Sequence, residues 1–261
     1  MPIVPKVIRE LRSLVGPDGV LTSPRDLLAY EYDATVERAL PDAVVFPYST
    51  AQVSAVVRLA RREGIPIVPR GAGTNLSGGT LSVRGGIVLE FSRMNRILAI
   101  DTANQRAVVE PGVVNLDLQN ALAPLGFYYA PDPASQKIST MGGNVGEDSG
   151  GPHCLKYGVT GNHVLGLEVV LASGDVVHVG SAVEDPSGYD LTGLLVGSEG
   201  TLGIVTKITV RIMRLPEAVK TLLAVYERLE DVGQTVSDII AAGIIPATLE
   251  IMDRPVIKAV E

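Results

Sequence analysis

The chain has 261 residues, of which 46% are hydrophobic and 20% charged, and its formal net charge is −7. This composition predicts a globular protein and excludes an intrinsically disordered one. The basic residues are scattered and aromatic residues make up only 4% of the chain, which argues against a nucleic-acid-binding surface. No apolar run approaches the ~18 residues that a transmembrane helix needs, so we predict no transmembrane segment.

Cysteine content and the N-terminus indicate the cellular compartment. The chain has a single cysteine, so it can form neither an internal disulfide nor a Cys-ligated iron–sulfur cluster of its own. The first 14 residues carry scattered charges and lack the apolar core and cleavage site of a signal peptide. We therefore expect a cytoplasmic setting.

The hydrophobic pattern predicts a mixed α+β protein without internal repeats. A strand, a helix and a second strand at 43–68 would form a β-α-β unit, and residues 24–41 look irregular. The predicted helices are 4–15, 51–63, 116–125 and 229–242. The predicted strands are 43–46, 65–68, 86–91, 97–100, 106–110, 164–172, 176–179, 202–213, 221–226 and 247–252.

The most informative segment is the glycine-rich loop Pro69–Gly79, which follows the second strand of that unit. It places four glycines within nine positions. Glycine permits positive φ and close approach of the backbone to a ligand, and successive N–H groups in such a turn can form a concave nest that binds anions. The loop is therefore predicted to bind a diphosphate, with Arg70 as the candidate positive charge.

Two other phosphate-binding motifs do not match this loop. A P-loop requires a lysine after its last glycine, but Gly79 and Thr80 follow Gly78. A dinucleotide-binding Rossmann motif requires a third glycine where Leu76 stands, and it must open a helix. A tight surface loop between two strands is the alternative that remains.

A second glycine-rich region, 139–152, contains a segment that looks like the nucleophile of a serine protease. We reject a hydrolase because all three histidines follow Ser149, whereas the protease orders place a histidine before the serine. Glu147 also stands where a hydrolase elbow requires glycine. The histidines lack metal-ligand spacing, so we predict no metal site. The whole stretch 131–161 is long for a loop, which suggests a functional role.

The two glycine regions together resemble the FAD-binding domain of the vanillyl-alcohol-oxidase (p-cresol methylhydroxylase) superfamily. The nearest branch contains D-lactate dehydrogenase, D-2-hydroxyglutarate dehydrogenase and a glycolate oxidase subunit. The matching segments occur in the family's order at 69–79, 131–135, 141–146, 149–158, 164–170 and 188–206. Each segment is weak evidence alone, but the ordered set is specific.

This resemblance implies a two-subdomain, α+β FAD-binding PCMH-type fold with the start of a substrate (cap) domain. Residues 1–35 would form an N-terminal helix and a wrapping segment. Residues 36–215 would form the FAD-binding domain, with subdomains at about 36–100 and 101–215. Residues 216–261 would begin an incomplete C-terminal substrate domain.

The resemblance also implies the residues that hold an extended FAD between the subdomains. Those near the diphosphate would be Arg70, Gly71, Ala72, Gly73, Thr74, Asn75, Gly78 and Gly79. Those along the ribityl and isoalloxazine side would be Pro131, Asp132, Thr140, Gly143, Asn144 and Gly146. Those toward the adenine and diphosphate end would be Glu199 and Ile204. Covalent relatives carry a histidine in the first loop, so Thr74 and Asn75 there imply non-covalent FAD.

The implied activity is oxidation of a small 2-hydroxy acid, such as glycolate or D-lactate, by hydride transfer to flavin N5. Catalytic residues are not identified, because relatives carry the carboxylate-binding arginine and the histidine-rich catalytic site in a longer substrate domain. One alternative is a non-catalytic FAD-binding subunit or truncated remnant that needs a partner chain. Another is a flavoenzyme acting on alkyl ethers, phenols or cell-wall sugar nucleotides. The electron acceptor stays unassigned.

Overall fold

The computed structural model describes residues 3–181 and 188–261. The helices are α1 (Pro5–Val15), α2 (Pro24–Leu27), α3 (Thr50–Glu63), α4 (Asn115–Leu122), α5 (Met141–Glu147), α6 (Cys154–Tyr157), α7 (Leu191–Leu195), α8 (Leu229–Ala241) and α9 (Arg254–Val260). The strands are β1 (Val20–Leu21), β2 (Ala43–Val45), β3 (Ile67–Arg70), β4 (Ile87–Glu90), β5 (Ile97–Asp101), β6 (Arg106–Val109), β7 (Phe127–Tyr128), β8 (Val164–Val170), β9 (Val176–Gly180), β10 (Ile204–Arg211) and β11 (Met213–Arg214).

The N-terminal half is built on a four-stranded sheet of order β1-β2-β4-β3. Strand β4 pairs in parallel with both β2 and β3, so it lies between the two strands of the predicted β-α-β unit. Helix α3 connects them, with Ser49 as its N-cap and Gly64 in the left-handed conformation at its end. Helices α1 and α3 bury their apolar faces in one core with β2 and β4.

The second half contains an antiparallel five-stranded sheet of order β5-β6-β10-β8-β9. Strand β10 alternates strictly between buried and half-buried residues, as its period-two sequence predicts. Helices α4 and α5 cover the buried face, where Leu118 and Met141 lie in one core with Ile208. The expected α+β fold is confirmed.

Polar contacts join the two halves along α3. The Thr50 hydroxyl donates to Oε1 of Glu168 on β8 at 2.5 Å. One turn further along the helix, the Ser54 hydroxyl donates to the Gly174 carbonyl at 2.5 Å, and Arg58 donates to the same carbonyl at 3.1 Å. These contacts fix how the first sheet sits against the second.

The glycine-rich region 131–161 is more regular than its sequence indicates. Helix α5 begins after Thr140, whose hydroxyl accepts from the Gly143 N–H at 3.2 Å, and it ends at Asp148, which is left-handed with φ of 49°. Three glycines within a helix are unfavourable by propensity. Tertiary contact explains one of them, because a Cβ on Gly142 would lie 2.6 Å from Cβ of Pro111.

The prediction was less accurate for the C-terminal segment 215–261. Helix α8 matches the predicted helix, but neither 221–226 nor 247–252 forms a strand. A strand needs a neighbour for its backbone groups, and no described residue pairs with either segment. Large apolar side chains are exposed here, including Leu222 at 94% and Val225 at 90%. No helix in the described residues is long and apolar enough to cross a membrane.

Glu168 is the most heavily bonded carboxylate between the halves. Besides Thr50, its side chain accepts from Thr206 at 3.0 Å and from Lys207 Nζ at 2.8 Å. Burial alone would raise the pKa of Glu168, but the hydrogen bonds from Lys207, Thr50 and Thr206 outweigh that effect and lower it to about 2. The folded state therefore favours the ionised carboxylate.

The substitution Glu168→Gln should lower the free energy of unfolding at pH 7 by about 1–3 kcal/mol. The pKa of Glu168 is lower in the folded state than its ordinary value of 4.5, so this stabilisation is present above that value and is lost as the pH falls toward 2. Urea unfolding of wild type and variant should therefore differ most at neutral pH and converge in acid. The exposed Glu217→Gln serves as control, and equal stabilities of wild type and Glu168→Gln at pH 7 would contradict the assignment.

Candidate functional site

A cleft opens where three glycine-rich stretches meet: the loop after β3, the start of α5 and the turn before β10. We call it the glycine cleft. The empty space in and in front of the cleft, open solvent included, is about 620 Å³. It is lined by Pro69, Arg70, Gly71, Gly79, Thr80, Phe91, Pro111, Thr140, Gly142, Gly143, Gly146, Glu147, Leu195, Ser198, Glu199, Gly200, Gly203, Ile204 and Val205.

The loop after β3 presents unpaired backbone donors. Within the described residues, the N–H groups of residues 71–77 form no hydrogen bond to a protein acceptor. Gly73 and Gly78 have φ of 66° and 81°, which glycine adopts without strain. A run of unpaired N–H groups in a turn of this kind is an anion-binding arrangement.

Glycine lies at two positions where the walls of the cleft approach each other. A Cβ on Gly71 would overlap the hydroxyl of Thr140. On Gly79 it would lie 2.5 Å from Oε2 of Glu199 and 3.2 Å from Oε1 of Glu147. The two glycines therefore leave room for polar side chains of the opposite walls, those of Thr140, Glu147 and Glu199.

Arg70 lies underneath the loop and is only 6% exposed. Its guanidinium stacks 5.8 Å from the ring centroid of Tyr30, and a Cβ on Gly73 would overlap it. Burial lowers the pKa of Arg70, while the charges of Glu90 and Asp33 act in the opposite direction. The charged side chain is thus packed inside the fold, against the loop.

Glu147 and Glu199 face each other across Gly79 at the wall of the cleft. Burial raises the pKa of Glu147, and the negative charges of Glu199 and Asp33 raise it further, against a hydrogen bond from Ser77. Sequence analysis did not include Glu147 among the site residues, although it lies inside the second glycine-rich region.

The buried amide of Asn144, on α5, has an Nδ2 group without a partner among the described residues. The side chain is only 1% exposed, and an unsatisfied buried donor is costly. Asn144 does not line the glycine cleft itself. Its orphaned amide nevertheless fits a polar ligand next to α5.

The turn at 131–133 lies beside α5, and its carboxylate, that of Asp132, pairs with a histidine from outside the turn. Asn115 joins the turn to α5, because its side chain donates to the Pro131 carbonyl at 3.1 Å and its N–H donates to the Ser139 carbonyl at 2.9 Å. Asp132 Oδ2 lies 2.6 Å from Nδ1 of His153. This contact fixes the imidazole ring and directs its Nε2 away from the carboxylate.

Half of the predicted site residues are brought together in the glycine cleft, namely Arg70, Gly71, Gly79, Thr140, Gly143, Gly146, Glu199 and Ile204. The other half do not line it, namely Ala72, Gly73, Thr74, Asn75, Gly78, Pro131, Asp132 and Asn144. Pro111 and Phe91 were missed because they follow ordinary strands and carry no motif. Gly200 and Gly203 lie within a segment that had been matched to the family.

The histidines are not arranged for hydrolysis. His153 contacts Asp132, His163 contacts the Tyr157 carbonyl, and His178 contacts Glu168. No hydrogen bond joins a described histidine to Ser149. In the part of the chain that is described, no cluster of three or more His, Cys, Asp or Glu side chains could hold a metal ion.

Comparison with known proteins identifies two family models in the chain. The FAD binding domain matches residues 41–180, and the C-terminal domain of FAD linked oxidases matches residues 215–261. The chain is 51% identical over 261 residues to glycolate oxidase subunit GlcD of Bacillus subtilis, covering 99% of this chain and 56% of that protein. It is 36% identical over 262 residues to a D-lactate dehydrogenase of Anaerostipes hadrus, covering 99% and 55%.

Among solved structures, p-cresol methylhydroxylase with substrate bound matches with a TM-score of 0.77 and 29% identity, over 90% of this chain and 48% of that one. The chain thus spans about half the length of the curated relatives that it matches. The FAD-binding model covers more than half of the chain. The protein therefore belongs to the family defined by this FAD-binding domain, and FAD is its cofactor.

Proposed function

We propose that this chain is the flavin-binding part of an FAD-dependent oxidoreductase that oxidises a 2-hydroxy acid such as glycolate or D-lactate. The observation that carries the proposal is the glycine cleft, whose loop leaves the N–H groups of residues 71–77 unpaired. The names of the relatives, a glycolate oxidase subunit and a D-lactate dehydrogenase, supply the substrate class. When bound, the flavin would accept at N5 the hydride that leaves the substrate.

The chain's own residues would bind and orient the cofactor. The N–H groups of the loop, including those of Ala72 and Thr74, would hold the diphosphate, with Gly78 and Gly79 allowing its close approach. Gly143 and Gly146 of α5, together with Pro131, Asp132 and Asn144, would line the ribityl and isoalloxazine side. Glu199 and Ile204 would lie toward the adenine end. The loop carries no histidine, which supports non-covalent binding.

Oxidation of a hydroxy acid also needs a base for the hydroxyl proton and a cation for the carboxylate. We place both groups in the region that the relatives have and this sequence does not include. The proposed division is a wrapping segment at 1–35, an FAD-binding domain at 36–215 and the start of a substrate domain at 216–261. Of the residues in this proposed division, 1–2 and 182–187 lie outside those that the structure describes. A cytoplasmic setting stays part of the proposal.

A second candidate is an FAD-binding subunit that relies on a partner chain for its substrate site. The exposed apolar side chains between Val219 and Val260 favour it, because such surfaces are usually covered. The word subunit in the name of the Bacillus subtilis relative also supports a partner. A partner that contributes the base and the cation would be compatible with the same flavin site.

An absorbance spectrum of the purified chain, taken before and after acid precipitation, tests the proposal. Flavin bands should be present, or should form on adding FAD, and should pass into the supernatant because the cofactor is not covalently bound. A colourless protein that takes up no FAD would contradict the proposed function. Rapid bleaching of the flavin by D-lactate or glycolate in this chain alone would contradict the placement of the base and the cation elsewhere.

The substitution Gly73→Val should abolish flavin retention. A side chain at this position would be strained at φ of 66° and would displace the Arg70 guanidinium that supports the loop. Flavin content per folded protein measures the effect, with folding followed by circular dichroism. The control is Gly126→Val, which also has positive φ but meets no atom within 4 Å. Normal flavin content in folded Gly73→Val would exclude the loop as the diphosphate site.

A further inference from the structure

We infer that Asp33 is a positioning residue that holds Asn75, and with it the diphosphate-binding loop, in its binding conformation before the cofactor arrives. The inference rests on the proposed function and deepens it. Asp33 lies in the segment between α2 and β2, more than forty positions before the residue that it contacts in the loop. It does not line the glycine cleft, so its effect on binding would be exerted through Asn75.

The Asp33 carboxylate is buried and well supplied with donors. It is 5% exposed, and its Oδ1 accepts from the Thr35 N–H at 2.7 Å and from the Thr35 hydroxyl at 2.6 Å. Its Oδ2 accepts from Nδ2 of Asn75 at 2.8 Å. Burial alone would raise the pKa of Asp33, but these hydrogen bonds and one from the Gly78 N–H lower it. The group is therefore an ionised acceptor, and charge-assisted hydrogen bonds are stronger than neutral ones.

A backbone contact adds to the side-chain contact. The Ala34 N–H donates to the Asn75 carbonyl at 3.2 Å, so this carbonyl faces the segment that carries Asp33. In a trans peptide the carbonyl and the next N–H point in opposite directions. The Leu76 N–H is therefore directed away from that segment. The two contacts together set the orientation of a peptide plane inside the proposed nest.

The other end of the Asn75 amide is bonded within the protein as well. Its Oδ1 accepts from the Thr80 hydroxyl at 3.1 Å, and Thr80 in turn accepts from Arg70 at 3.4 Å. The network thus joins both ends of the loop to Asp33 and to the buried guanidinium. The side chain of Asn75 is engaged inside the protein, so only its backbone N–H is left for the ligand.

This arrangement lowers the cost of binding, because a loop that is already ordered loses less conformational entropy when the ligand arrives. Removing a hydrogen bond to a charged group typically weakens an interaction by about 1.5–3 kcal/mol. If that loss is expressed as disorder of the loop in the free protein, FAD affinity should fall by roughly ten- to a hundredfold.

The test is Asp33→Asn in the full 261-residue chain, with FAD and ADP titrated separately into the apoprotein. Both ligands contain the diphosphate, so both dissociation constants should rise by a similar factor of roughly ten to a hundred. The control is Glu31→Gln, which alters a carboxylate of the same segment that pairs with Arg38 on the surface. That variant should bind both ligands like the wild type.

A double-mutant cycle separates positioning from general destabilisation. If Asp33 acts through Asn75, Asn75→Ala should weaken binding by a similar factor, and Asp33→Asn should add little in that background. If the double variant weakens FAD binding by the product of the two single-variant factors, the inference is overturned. Unchanged FAD affinity in Asn75→Ala would also overturn it. That second measurement still tests the inference if Asp33→Asn fails to fold. Wild-type titration comes first: no FAD binding there refutes the proposed function, whereas wild-type binding with unaffected variants refutes only the role of Asp33.

Discussion

Close contacts between chain segments at glycine positions are the constraint on which the rest of this structure depends. The loop after β3 meets α5 where Gly71 lies against Thr140, and it meets the turn before β10 where Gly79 lies against Glu199. At the start of α5, Gly142 lies against Pro111. A side chain at Gly142 would meet the backbone of Pro111, and one at Gly71 or Gly79 would meet the side chains of Thr140 or Glu199.

These contacts form only if the two sheets are held in a fixed position relative to each other. The hydrogen bonds from Thr50 and Ser54 on α3 to Glu168 and Gly174 supply the connection. Apolar packing adds to it, since Val170 and Ile204 of the second sheet lie in the core of the first half.

The electrostatics of the site are local and differ from those of the whole chain. A net charge of −7 would not by itself suggest an anion site. The unpaired N–H groups of residues 71–77 and the buried Arg70 contribute positive charge there, although Glu90 and Asp33 act on the guanidinium. Glu147 and Glu199 add negative charge at the cleft wall.

Local patterns were sufficient for the elements with strong periodicity. Helix α3 and strand β10 were predicted within about two residues of their observed bounds, because caps, glycine stops and alternation act over short distances. Segments 221–226 and 247–252 were mispredicted, because an apolar run becomes a strand only when a neighbour pairs with it. Helix α5 was missed for the converse reason, since its three glycines disfavour a helix by propensity and the contact of Gly142 with Pro111 is made only in the folded structure.

The sequence by itself determined the chemistry of the site: a glycine-rich loop without lysine or histidine, a second glycine-rich region and the ordered segments of a flavoprotein family. Only the tertiary structure decided which of those residues share a cleft. It turned Arg70 inward, engaged the Asn75 side chain with Asp33, and placed Glu147 opposite Glu199. The reason is physical, because a motif fixes the local backbone conformation, whereas contacts between segments far apart in the chain depend on how the two sheets pack.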